Sequence, residues 1–326
     1  MNTPEKTGIA LCGNVLVDLI NHIRAYPAPG ELTKIVDLSK SVGGCVPNVG
    51  IDLKKICPSL TVSAIGKIGK DDNGAYAKEI LAGAGLDLTG LQEVDTPTSF
   101  TQVMSIEGGQ RTFFTYAGAD GQLSAEDVDL NTKAPKILHL GYFLLLDKID
   151  KGEGLKLLQK ATEAGVETSI DLVSENSDRY SLVLPCLPYT DYLIINELEA
   201  GKLTNTEPTL EVLPLIAMKL KELGVRKKVI IHMPTMAVCC SEKGLTVVPS
   251  YDLPAEAVVG TTGAGDAFCA GALYGIYEGW EDKEILEFAS GAAVMALSSA
   301  DATSGLVTEA EIREHCKQYR RKQVCL

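Results

Sequence analysis

Positive charge is scarce in this chain: 30 Lys and Arg face 43 Asp and Glu, a formal net charge of -13. That balance excludes a polyanion such as nucleic acid, or an anionic membrane surface, as a general partner. It leaves room for an anionic cofactor held locally at a helix N-terminus. No apolar run reaches the roughly 20 residues of a membrane span. Residues 1–7 are polar, so no secretory leader is expected either. The nine cysteines are scattered, odd in number and never spaced C-x-x-C, so neither a disulfide framework nor a zinc site is expected. Free thiols fit a reducing, cytoplasmic setting. No G-x-G-x-x-G follows the first apolar run, which weighs against a dinucleotide-binding oxidoreductase.

What is present centres on Gly260-Thr261-Thr262-Gly263-Ala264-Gly265-Asp266-Ala267-Phe268. The glycines allow a tight turn and close approach to a ligand. The helix formers that follow open a helix whose first N–H groups lack partners and face the turn. Such a turn takes an anion, above all a phosphate. It is not a P-loop, since no Gly-Lys-Ser/Thr occurs there. Asp266 instead stands at the helix start. An anion hole beside a carboxylate suits phosphoryl transfer to a hydroxyl, with the amides steadying charge and the Asp taking the proton.

The rest of the chain reads as alternating strands and helices. The run 9–18 is expected as one buried strand with Asp18 at its polar end. A second glycine turn, Gly43-Gly44, precedes Asn48 and a helix at 51–56; its amides and the Asn48 amide suit a polyol. Strands are expected at 60–65, 137–140, 167–172, 192–195, 228–231, 237–240 and 245–248. Helices are expected at 75–84, 152–164, 215–223, 283–297 and 309–321, with further ones opening after Asn196 and at Gly263. This alternation predicts one α/β domain built on a doubly wound, mostly parallel sheet flanked by helices. Segments at about 20–40 and 98–117, the latter with a turn at 107–111, are expected to form a small β lid outside it.

In such a sheet the strand C-termini share one edge, so the polar groups there converge on one cleft. Four motifs occur in order: Gly-Gly-x-x-x-Asn at 43–48, the Gly66, Gly69, Asp71, Asp72, Gly74 pattern, Asn-x-x-Glu at 196–199 and Thr-Gly-Ala-Gly-Asp at 262–266. Together they resemble the ribokinase, or PfkB, family of carbohydrate kinases over nearly the whole chain. The resemblance implies a ribokinase-like fold and ATP-dependent phosphorylation of a sugar or sugar-acid hydroxyl. It implies Asp266 as base, with the amides of Gly263, Ala264 and Gly265 as anion hole. Asp18, Gly43, Gly44 and Asn48 are implied as sugar-holding positions, with Arg111 and Tyr116 in the lid region. Asn196 and Glu199 match the magnesium and phosphate motif, Glu199 acting on Mg2+ through water. Thr262, His232 and Ser290 are carried over as nucleotide-side positions.

The sequence departs from that pattern at three places. Gly260 stands where many relatives have an Asp that helps bind potassium, and 298–303 lacks the usual Arg and Gly. Potassium dependence is therefore expected to be weak, with Asp301 as a partial substitute, and Gly260→Asp is expected to increase it. Residues 232–237, His-Met-Pro-Thr-Met-Ala, replace a glycine-containing phosphate-covering loop, and Pro234 removes a donor from it. A nucleoside kinase of the same fold is the nearest alternative, although aromatic residues make up only 6% of the chain. A sugar-sensing member without catalysis is another, and the retained Asp266 argues against it. The exposed strand edges of the lid predict a homodimer in which two lids pack together.

Overall fold

In a computed structural model, residues 6–106, 111–130, 135–175 and 177–324 are described. Thirteen strands and eight α-helices are found among them. In chain order these are β1 (Ile9–Cys12), β2 (Leu16–Ile23), β3 (Ile35–Gly43), α1 (Cys45–Ile56), β4 (Val62–Gly69), α2 (Asp72–Gly83), β5 (Asp87–Val94), β6 (Phe100–Ile106) and β7 (Arg111–Tyr116). There follow β8 (Ile137–Phe143), α3 (Gly154–Glu163), β9 (Glu167–Leu172), β10 (Tyr192–Asn196), α4 (Glu197–Thr204), α5 (Leu213–Glu222) and β11 (Lys228–His232). The chain closes with β12 (Met236–Ser241), β13 (Gly244–Pro249), α6 (Ala264–Glu278), α7 (Asp282–Leu297) and α8 (Glu309–Cys316).

Nine strands make one sheet in the order β13-β12-β11-β10-β9-β8-β1-β4-β5. From β11 through β5 the neighbours run parallel, and only the β11–β12 and β12–β13 pairs are antiparallel. A tight 241–244 turn allows that final hairpin, whereas each parallel pair needs a longer crossover. Both faces are covered. Along β1, Ile9 and Leu11 pack into the core beneath α1, α6 and α7, while Ala10 and Cys12 pack on the opposite side with α3 and α5. Alternate residues thus enter two separate cores, which is why the strand reads as continuously apolar. Leu53 of α1 is fully buried in the first core; truncating such a residue to Ala costs about 2–5 kcal/mol.

Four strands make a second, smaller sheet in the order β3-β2-β6-β7. This corrects the reading of 9–18 as one strand. The chain leaves the large sheet after Cys12 and re-enters structure as β2 of the small one, so Asp18 belongs to the small sheet. The reason is steric and polar. A Cβ at Gly13 would meet Cys45 Sγ at 2.4 Å and the Gly141 carbonyl at 2.8 Å, so the chain is squeezed there. The Val15 N–H then donates to Asp120 Oδ1 (3.1 Å) instead of continuing a ladder. Three further expectations change. The helix expected at 51–56 begins at Cys45 and contains Asn48, β5 was not foreseen, and α8 ends at Cys316 rather than near 321. Most of the expected turn at 107–111 lies outside the described residues.

Candidate active site

Helix α6 sets the site. Its N-cap, Gly263, has φ +78°, and a Cβ there would meet the Ala302 backbone at 2.4–2.5 Å. Both facts require glycine. No side chain caps the helix, so its first amides keep their capacity for a ligand. Gly263 and Gly265 line the cleft in front of the helix; Ala264 does not, and its N–H lies 3.4 Å from the Thr261 carbonyl.

Asp266, in the first turn, is 7% exposed. Asn48 Nδ2 donates to its Oδ2 (2.9 Å), and the Tyr142 hydroxyl lies 3.0 Å from both carboxylate oxygens. Burial, then the nearby Asp171 charge, push the Asp266 carboxyl up to about 7, against the lowering effect of the two donors. Tyr142 itself is raised well above its usual range by burial and the adjoining carboxylates, so it remains a protonated donor. It stands near the end of β8 with φ +53°, a left-handed conformation, and its N–H donates to Asp171 Oδ1. Asp171 near the end of β9 therefore fixes the tyrosine that touches the base.

Asn196 and Glu199 form a capping box at the start of α4. Asn196 Oδ1 accepts from the Glu199 N–H (2.9 Å) and Glu199 Oε2 accepts from the Asn196 N–H (3.1 Å). Ser174 donates to Glu199 Oε1 (2.8 Å) and accepts from Asn196 Nδ2 (2.8 Å). Burial raises the Glu199 carboxyl to about 7. His232, at the end of β11, stacks on Phe268 (4.6 Å between centroids), and burial lowers it to about 4, so it is neutral near pH 7. Asn196, Glu199, His232, Gly263, Gly265 and Asp266 share one cleft of about 220 Å³.

The remaining predicted positions divide. Asp18 sits against Gly43, where a Cβ would come within 2.5 Å of its Oδ2, and burial raises its carboxyl to about 6. Gly44 (φ +94°) caps α1, placing Asn48 one turn inside, and Asn48 Oδ1 is buried without a partner among the described residues. Arg111 donates to the Thr262 hydroxyl (3.3 Å), and both line a second cavity of about 500 Å³ with Phe113 and Gly260. That contact joins the small sheet to the turn before α6. Tyr116 packs on Phe100 and lines a different cavity, with Asn14, Asp120 and Arg179. Ser290 does not line the cleft; its hydroxyl donates to the Leu286 carbonyl (2.7 Å) inside α7. Two positions bear on the potassium expectation. A Cβ at Gly260 would meet the Ser299 carbonyl at 2.7 Å, and Asp301 is occupied by Thr303 and Ser304 of its own loop.

Sequence reasoning missed Tyr142 and Ser174, and it gave Asp171 only as part of the strand expected at 167–172. A strand-end carboxylate is a usable signal. Tyr142 offered none, because its role depends on a left-handed backbone.

A large, mostly parallel sheet, a small second sheet and an uncapped glycine turn beside a buried carboxylate define a kinase of ribokinase-like fold. The pfkB family carbohydrate kinase model matches residues 6–309, and the chain belongs to that family. It is 26% identical over 300 residues to a ribokinase of Arabidopsis thaliana, covering 89% of this chain and 76% of the relative. It is 23% identical to a 5-dehydro-2-deoxygluconokinase of Shouchella clausii, covering 95% of each. Among solved structures, ribokinase from Thermotoga maritima matches with TM-score 0.80 at 23% identity, over 95% of this chain and 99% of that one. Arabidopsis thaliana ribokinase complexed with ribose and ATP matches with TM-score 0.82 at 23% identity, over 96% and 99%.

Proposed function

We propose that this kinase transfers the terminal phosphoryl group of ATP to a hydroxyl, primary in the simplest case, of a small sugar or sugar acid. The observation that carries the reading is the buried Asp266 carboxylate at the uncapped N-terminus of α6, held by Asn48 and Tyr142. ATP supplies the phosphoryl group. The residues fit it: free amides at Gly263 and Gly265 can hold anionic oxygens, and Asn196 and Glu199 stand across the same cleft. Glu199 would hold Mg2+ through water, in keeping with that ion's retained hydration. Asp266 takes the acceptor proton, and a carboxyl near 7 is suited to both accept and release it at neutral pH. The Tyr142 hydroxyl already occupies carboxylate lone pairs that the acceptor needs, so it bounds the acceptor site on that side. The unpartnered Asn48 Oδ1 is an acceptor for a second substrate hydroxyl.

The small sheet serves as a lid on this site, linked to it through Arg111 and Thr262. Its occupant on the outer side is a second copy of the chain. Leu38 and Phe114 are 68% and 59% exposed on one face of its two outer strands, β3 and β7, more apolar surface than a lone sheet normally leaves to water.

A coupled assay of ADP release across sugars, sugar acids and nucleosides, with phosphorylated products identified by NMR, tests the assignment. A sugar or sugar-acid phosphate formed by the native protein and not by Asp266→Asn is the expected result. Phosphorylation confined to nucleosides, or ADP release indifferent to both acceptor and Asp266, overturns it.

A further inference from the structure

At the floor of the cleft lies a group of side chains of which the phosphoryl-transfer reading uses only Asp171, through Tyr142. His139 of β8, Asp171 of β9 and Cys269 of α6 are 0%, 7% and 2% exposed. One ligand atom from each lies within 4.8 Å of the other two. His139 Nε2 is 3.5 Å from Asp171 Oδ2 and 3.7 Å from Cys269 Sγ. A tetrahedral zinc site, with bonds of about 2.0–2.1 Å to nitrogen and oxygen and about 2.3 Å to sulfur, has ligand–ligand edges of about 3.3–3.6 Å. The two separations from Nε2 lie within a few tenths of an ångström of those edges, and Asp171 and Cys269 offer atoms within 4.8 Å of each other.

The arrangement is not that of a nucleophile, base and orienting acid. Such a relay places the thiol on one imidazole nitrogen and the acid on the other. Here both crowd Nε2, while Nδ1 is 3.0 Å from Ser169 Oγ. With Nδ1–H donating to Ser169, the Nε2 lone pair points at the shared centre. Asp171 is oriented in the same way, since its Oδ1 accepts from the Tyr142 N–H and its Oδ2 is left to the group. Outer partners that fix an imidazole and a carboxylate are the usual support of a metal ligand set. Burial and the neighbouring carboxylates hold the Cys269 thiol protonated; a divalent ion would displace that proton to solvent and neutralise the thiolate and carboxylate charges together. Thiolate, imidazole and carboxylate together select zinc over magnesium. Asp171 and Cys269 line the cleft and His139 does not, so the cleft is the route of entry.

We propose that His139, Asp171 and Cys269 form a zinc-binding site with three protein ligands and a fourth position open to the cleft beside Asp266. The ligands come from three separate elements, so no C-x-x-C spacing announces them in the sequence. This inference rests on the trio's geometry and stands apart from the choice of phosphoryl acceptor.

The test uses the full chain, stripped of transition metals and then titrated with zinc against a chromophoric chelator and, separately, with cobalt. One equivalent of zinc should be retained through gel filtration in the presence of excess magnesium. The native protein with cobalt should show a thiolate-to-cobalt charge-transfer band and the strong visible bands of a four-coordinate ion. Cys269→Ser should abolish the charge-transfer band. His139→Gln should weaken zinc binding by more than the roughly 10–100-fold that loss of an outer partner costs. The cobalt spectrum of the native protein decides the matter even if a variant fails to fold. A six-coordinate spectrum without a thiolate band overturns the site, and so does zinc retained equally by folded Cys269→Ser and His139→Gln.

Discussion

Asp266→Asn should lower activity and raise stability, and the second effect should depend on pH. The Asp266 carboxyl rises from 3.8 to about 7 in the folded protein. A carboxyl raised by folding stabilises the native state when protonated, and that stability is lost as pH climbs from the unfolded value through the folded one. The shift is roughly three units at about 1.4 kcal/mol each, so ionised Asp266 costs the native state at most about 4 kcal/mol above pH 7. Asn removes the charge but has one acceptor oxygen to offer both Asn48 and Tyr142, a loss of about 1–1.5 kcal/mol for one hydrogen bond. At pH 5 the remaining cost of the native carboxyl is about 1.6 kcal/mol and the two terms cancel. At pH 8 the variant should be ahead by about 3 kcal/mol, or several degrees in Tm. The assay is thermal unfolding of transition-metal-stripped native and variant protein across pH 5–8, with turnover measured in parallel. Turnover should fall by about 10²–10⁴-fold, the range for a lost general base. Parallel Tm–pH curves refute the account of a strained buried charge, and near-normal turnover in the folded variant refutes Asp266 as base.

Tyr142→Phe removes a donor that lowers the Asp266 carboxyl, so the acid limb of kcat/KM against pH should move up, by as much as about one unit; an unmoved limb, or one moved to lower pH, counts against the contact. Potassium at constant ionic strength should change the initial rate by a few-fold at most, on the order of 1 kcal/mol in barrier, and a hundredfold rise would mean that bare carbonyls suffice as ligands. Gly260→Asp should destabilise the protein and leave potassium dependence unchanged, because the Ser299 carbonyl leaves no room for a Cβ. Phe114→Lys with Leu38→Lys should convert a dimer to a monomer in light scattering at micromolar concentration; native protein that is monomeric and fully active there rules out closure of one lid by another.

The parts of the site legible in the sequence were those whose geometry is local. Gly263, Gly265 and Asp266 belong to one turn, and Asn196 with Glu199 form one capping box, so residue types at fixed short spacing carry the information. The strand-and-helix alternation likewise carried the large sheet. Residues that act across elements were hidden. Tyr142 meets Asp266 only because β8 lies beside β9, whose Asp171 holds the tyrosine's backbone. The division of 9–18 between two sheets was invisible because both halves are apolar, and what separates them is contact of Gly13 with Cys45 and Gly141. Ser290 is a position carried over from a family pattern alone, and its hydroxyl bonds inside its own helix.

The pairing of the small sheet also constrains the order in which the chain can fold. β2 and β3 are neighbours in sequence, but β2 also pairs in parallel with β6, Val17 against Phe100. Between those partners lie α1, β4, α2 and β5, two of which are strands of the large sheet. Closing so long a loop is slow unless the intervening chain has already collapsed. The β2–β3 hairpin, local in sequence, can therefore form while its β6 edge still waits for the large sheet. During that interval the hairpin presents an open edge together with Ile35, Val36 and Leu38, which stay solvent-exposed even in the folded chain. Refolding yield should accordingly fall with protein concentration, and a Lys at position 36 or 38 should recover it.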